Sequence, residues 1–161
     1  MTWREAFLRQ ARIDAELWRC LDETAFSHQL HYFQMVTEKL AKGYLTPATS
    51  AKPPSHTHIR LVRFMQQLKT APASLREKLG FPRADAFRAY LDSLLPIATR
   101  IEALAPAVAG DNQPNPEYPW QEPSTGEIIV PGEYSFASIT AEKVQYMKLV
   151  RLIRSVLAHV K

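Results

Sequence analysis

A carboxylate on the apolar side of a helix needs a reason, because an unpartnered charge taken out of water costs several kcal/mol. On a wheel of about 100° per residue, the first helical stretch (3–21) carries an apolar arc. It runs from Cys20 through Ile13, Leu17, Trp3 and Phe7 to Ala11, with Gln10 and Asp14 inside it. Asp14 therefore either hydrogen-bonds to a neighbouring helix or lines a cleft. In "HYFQMVTEKLAKGYL" (31–45), His31, Gln34, Glu38 and Lys42 follow one edge of an apolar side made by Leu30, Phe33, Val36, Leu40 and Tyr44. Glu38 and Lys42 are four apart with the acid first, the favourable order for a helical ion pair. As a line, these residues read either as a solvated edge or as the rim of a site. His58 leads the row His58, Leu61, Met65, Leu68, and His56 stands two residues earlier. An H-x-H pair suits a metal, but no nearby Cys or His completes a tetrahedral set, so no metal or other cofactor is expected.

Helices must position these groups. Hydrophobic spacing predicts helices over 3–21, 24–45, 56–68 and 83–105, a short turn at "ASLREKLG", and a final helix over about 138–160. Gly43 and Pro47 are expected to stop the second helix, and Pro96 to bend or split the helix over 83–105. "TPATSAKPPS" (46–55) reads as a loop. Residues 109–135 hold five of the twelve prolines and cannot be helix. "GEIIVPGEY" is extended in character but has no evident partner strand. Tyr118, Trp120 and Tyr134 predict an irregular strap anchored over the core by its aromatic rings. The expected class is all-α: a single domain over 1–161, an up-and-down bundle of five or six helices with a long Pro-rich strap before the last one.

Bulk properties are those of an ordinary globular chain, 46% hydrophobic and 22% charged. No apolar run is long enough to span a bilayer, and the N-terminus lacks the apolar centre of a signal peptide. A single cysteine, Cys20, favours a reducing compartment, so a cytoplasmic protein without membrane contact is expected. The net charge of +4 permits an anionic partner without requiring one. Basic residues are densest at Arg4, Arg9, Arg12 and Arg19, and at Lys148, Arg151 and Arg154.

Three pieces in order resemble the HEPN family of small helical bundles. They are "ARIDAELW" with Asp14, "HYFQMVTEKLAKGYL" with Gln34, Glu38, Lys39 and Lys42, and "THIRLVRFM" with His58. The likeness covers about the first 70 residues, and the later "EYPW" fits some members. The chain departs from the family pattern at Val36 and Thr37, where a small residue precedes the Glu-Lys pair, and at Ile59 and Arg60, where an Asp follows the His. The resemblance implies a helical bundle, often a homodimer, with one of two roles. One is a binding module for a nucleotide, RNA or a partner protein of the nucleotidyltransferase or antitoxin kind. Its cleft is expected to be lined by Asp14, Gln34, Glu38, Lys42 and His58. Asp14 and Glu38 would orient Lys42 or accept from ligand hydroxyls, and Lys42 would meet a phosphate. The other role is a metal-independent endoribonuclease of the toxin type, using an Arg-x(4–6)-His motif across the dimer.

That motif has one instance here, "RSVLAH", Arg154 to His159. The His would act as general acid or base and the Arg would stabilise transition-state charge. At an offset of five residues the two side chains lie about 140° apart on a straight helix. Leu149, Ile153, Val156 and Val160 lie between them, so they would converge only across two subunits or at a bent helix end. A third expectation is purely structural, a bundle that serves as a dimerisation unit.

Overall fold

The computed structural model describes residues 1–21, 25–54, 60–110 and 112–160. It is mostly helical, with helix over 66% of the chain, which places it in the all-α class. The longer helices are α1 (Trp3–Arg19), α2 (Phe26–Leu45), α3 (Leu61–Leu68), α5 (Ala84–Ala103) and α8 (Lys143–His159). Three short ones, α4 (Ala73–Lys78), α6 (Pro106–Ala109) and α7 (Ala137–Thr140), serve as corners between them. α1 starts on a capping box: the Thr2 hydroxyl accepts the Glu5 N–H, and the Glu5 carboxylate accepts the Thr2 N–H. At their other ends, helices leave carbonyls without intrahelical donors. Two arginines of α1 meet such groups elsewhere. Arg4 Nη1 donates to the Tyr44 carbonyl at the end of α2, and Arg12 Nε donates to the Leu157 carbonyl in the last turn of α8. Among the described residues, no helix is long and apolar enough to cross a membrane.

Several local expectations are corrected. Gly43 does not stop α2, which continues to Leu45 before the extended Thr46. α3 begins at Leu61, because Arg60 has a non-helical backbone; the preceding residues, 55–59, lie outside the described set. α5 runs unbroken through Pro96. That proline is solvent-exposed, so water can satisfy the carbonyl its missing N–H leaves free. The final helix is two elements, α7 and α8, rather than one. "GEIIVPGEY" does find a partner: β2 (Ile128–Ile129) pairs antiparallel with β1 (Trp120–Gln121), aligning Trp120 with Ile129. The strap is thus closed by a small hairpin. Its Trp120 is buried, whereas Tyr118 is 56% exposed and anchors nothing.

The core faces are mostly those the spacing indicates. Leu30, Phe33, Val36 and Leu40 of α2 are fully buried, as are Phe64, Met65 and Leu68 of α3 and Leu149, Ile153 and Val156 of α8. α1 is the exception. It buries Leu8, Ala11, Asp14 and Trp18, while Trp3, Ile13 and Leu17 remain exposed. The buried face is rotated because α1 packs against both α2 and α8, which meet it on its Leu8–Trp18 side. Aromatic rings tie the strap to this core. Trp120 packs edge-on to Tyr134 and Tyr134 to Phe136, each at 5.0 Å. Phe136 and Tyr146 contact Phe26, Tyr146 also contacts Phe33, and Phe33 meets Trp18. Phe136 adopts φ 47°, a left-handed backbone that a bulky residue enters only when packing holds it there.

α1 and α2 approach so closely that a Cβ on Gly43 would stand 2.7 Å from Leu8 Cγ and 3.0 Å from the Leu8 backbone nitrogen. Gly43→Ala is expected to destabilise the fold by about 1–2 kcal/mol in urea unfolding, overpacking outweighing the better helix propensity of Ala. In a Leu8→Ala background the same substitution should cost clearly less. Equal costs in both backgrounds would show that the Leu8 contact is not the constraint.

Candidate functional site

A cleft of about 550 Å³ opens beside the middle of α2. His31, Gln34, Met35 and Glu38 of α2 form one wall, Leu61 at the start of α3 and Ile101 and Glu102 near the end of α5 form another, and Glu117 and Tyr118 of the strap close one side. Each polar group is held by a local device. Gln34 Nε2 donates to the Ile101 carbonyl at 2.7 Å, satisfying a carbonyl in the last turn of α5. Glu102 accepts the Leu61 N–H at 3.0 Å, a carboxylate at a helix start where the dipole favours negative charge. The buried Asn115 accepts the N–H groups of Glu117 and Tyr118 through its Oδ1 at 3.1 and 2.7 Å, fixing the strap where it reaches the cleft.

The electrostatics are predominantly acidic. Lys39 lines the cleft, but its Nζ lies 2.6 Å from Asp14 Oδ2, and the other Asp14 oxygen accepts from Gln10 Nε2 at 2.8 Å. Lys42 is buried, ion-paired to Glu38, and stands 5.7 Å from the Phe7 ring centroid. Both lysines are thus matched to carboxylates. Glu102 has no ion-pair partner among the described residues. Burial raises its carboxyl pKa above the usual range, with the Leu61 and Val62 N–H groups pulling the other way. Glu117 lies 3.7 Å from His31 Nδ1. Its neighbour Tyr118 has its phenol pKa raised by a hydrogen bond to that carboxylate and by the carboxylate's charge.

The expected site residues therefore separate. Gln34 and Glu38 line the cleft. Asp14 is buried as anticipated, but it pairs with Lys39 and not with Lys42, and it sits between α1 and α2. Lys42 is not among the described lining residues of this cleft; it is ion-paired to Glu38 and stands beside the Phe7 ring. His58 is outside the described residues. Among those residues, no group of three or more His, Cys, Asp or Glu is placed to hold a metal. Arg154 and His159 point to different places in one protomer. The Arg154 guanidinium stacks 4.7 Å from the Trp18 ring centroid in a shallow cleft with Arg12, Glu16 and Arg19, whereas His159 lines a separate cleft with Arg4, Arg63 and Lys78. Glu102, Glu117 and Tyr118 were not singled out by spacing. They reach Gln34 from 68 to 84 positions away in the chain, and no local periodicity carries such a separation.

Replacing Asp14 by Asn leaves Lys39 beside a neutral group, and should cost about 2 kcal/mol in chemical denaturation, below the 3–5 of a fully buried pair because Lys39 is partly exposed. The double replacement Asp14→Leu/Lys39→Met should recover at least half of that loss. A neutral Asp14→Asn would show that the pair does not hold α1 on α2. Compared with protein-family models, curated proteins and solved structures, this chain matches none.

Proposed function

We propose that this chain is a HEPN-like binding module, a single up-and-down helical bundle whose acidic cleft docks a basic segment of a partner protein. The carrying observation is the charge of that cleft. Glu102 and Glu117 face it, while Lys39, which also lines it, and Lys42 are each matched to a carboxylate. Carboxylates gathered in a cleft attract an ammonium or guanidinium and repel a phosphate, so among a nucleotide, an RNA and a protein partner the cleft suits the protein. A partner of the nucleotidyltransferase or antitoxin kind is what the family resemblance adds. The endoribonuclease reading has weaker support, since its Arg154 and His159 line separate clefts within one protomer.

Fluorescent oligolysine tests this reading. It should bind the purified protein in moderate salt, and Glu102→Gln/Glu117→Gln should weaken binding about tenfold. Undiminished binding by that double variant would sink the proposal. Cleavage of RNA without metal, abolished by His159→Ala, would establish the enzyme instead.

A homodimer is supported by a second observation. Trp3, Ile13 and Leu17 leave an apolar stripe on the solvent side of α1, with Ala6, Gln10 and Cys20 completing a three-four spacing of the coiled-coil type. In an antiparallel pairing of two α1 helices, Arg9 of one copy would face Glu16 of the other. Leu17→Glu should convert such a dimer to monomer in light scattering, and an unchanged mass above the monomer would place the interface elsewhere.

A further inference from the structure

A second cleft, of about 580 Å³, shares no lining residue with the acidic one among the described residues and carries the opposite charge. It lies where the N-terminal end of α1, the C-terminal end of α2, α3, α4 and the end of α8 come together. Arg4 comes from α1, Arg63 from α3, Lys78 from α4 and His159 from α8, and no Asp or Glu lines it among the described residues. Five cations elsewhere in the chain are paired with carboxylates: Lys39 with Asp14, Lys42 with Glu38, Lys69 with Asp92, Arg83 with Asp85 and Arg100 with Glu142. Among the described residues, Arg63 and Lys78 form no ion pair, and both are exposed. Arg4 is oriented by its bond to the Tyr44 carbonyl and lies 5.9 Å from the Tyr44 ring centroid, so its guanidinium does not depend on a ligand for its place.

Cations brought together from separate elements repel one another, and the field they share in a concave site concentrates anions there. A guanidinium offers a planar fork of donors and an ammonium a compact charge. Together they complement the tetrahedral, multiply charged oxygens of a phosphate. The Ser74 hydroxyl adds a neutral donor, and Leu45, Leu75 and Val160 supply apolar wall. We infer that this cleft is a binding site for a phosphate-bearing ligand, its phosphoryl oxygens held by Arg63 and Lys78 with Arg4 and His159 alongside. A polyphosphate nucleotide and the backbone of single-stranded RNA both present that chemistry. The cleft is independent of the acidic one, so the site stands whether or not a basic segment docks there.

The test titrates the full chain with ATP and, separately, with a fluorescent oligouridylate at moderate salt. The variant Arg63→Gln/Lys78→Gln is compared with Lys143→Gln/Lys148→Gln, which removes two exposed charges from α8 outside the cleft. At least one probe should bind the parent, the cleft variant should bind about tenfold or more weakly, and the α8 variant should stay within about twofold. If the strand is the ligand, the slope of log affinity against log salt should fall by about 0.7 for each lost phosphate contact, and ATP should compete poorly. If ATP binds and the strand does not, the phosphate is that of a free nucleotide. The inference is overturned if neither probe binds the parent at millimolar concentration, or if the two variants lose affinity equally.

Discussion

The ion pair between Asp14 of α1 and Lys39 of α2 is the contact on which much of the remaining arrangement rests. A carboxylate buried to 7% exposure is unfavourable unless a cation answers it, and only one rotation of α1 about its axis brings Asp14 to Lys39. That rotation puts Leu8 against Gly43, Ala11 and Trp18 against the core, and Trp3, Ile13 and Leu17 outside. It also aims Arg4 and Arg12 at the last carbonyls of α2 and α8. A larger residue at position 43 would lift α1 off α2, lengthening the ion pair and the two arginine contacts together. The polar and steric constraints on this helix pair therefore agree.

The same pairing shapes the electrostatics. Because Asp14 neutralises Lys39 and Glu38 neutralises Lys42, the charges left facing the cleft beside α2 among the described residues are those of Glu102 and Glu117. At the other end of α2, Arg63 and Lys78 line a cleft that no described carboxylate enters. A protein of modest net charge thus presents two concave surfaces of opposite sign. A formal charge of +4 summed over the whole chain conceals both of them.

The strap illustrates how a proline-rich segment acquires a defined course without helix. Its hairpin is only two residues per strand, too short to be stable alone. The order comes from rings: Trp120 and Tyr134 extend the aromatic contacts that run through Phe136, Phe26 and Tyr146 to Phe33 in the helical core. Asn115 then turns the chain so that Glu117 and Tyr118 reach the cleft. The strap is both a cover for the core and a wall of the candidate site.

Helical spacing alone determined that the chain is built from amphipathic helices, which faces of α2, α3, α5 and α8 are buried, and that Asp14 must either find a partner or line a cleft. These are local matters, decided by which side chains share a face within a few turns. The partner of Asp14, the orientation of α1, the pairing of "GEIIVPGEY" with Trp120, and the passage of α5 through Pro96 were decided by tertiary packing. Each depends on what lies across an interface or on which side faces water. The candidate site divides in the same way. Gln34 and Glu38 were legible because they follow one helix edge. Glu102, Glu117, Arg63 and Lys78 were not, since their chemistry exists only where separate helices and the strap meet, and the burial or isolation of a charge is a property of that meeting and not of any segment.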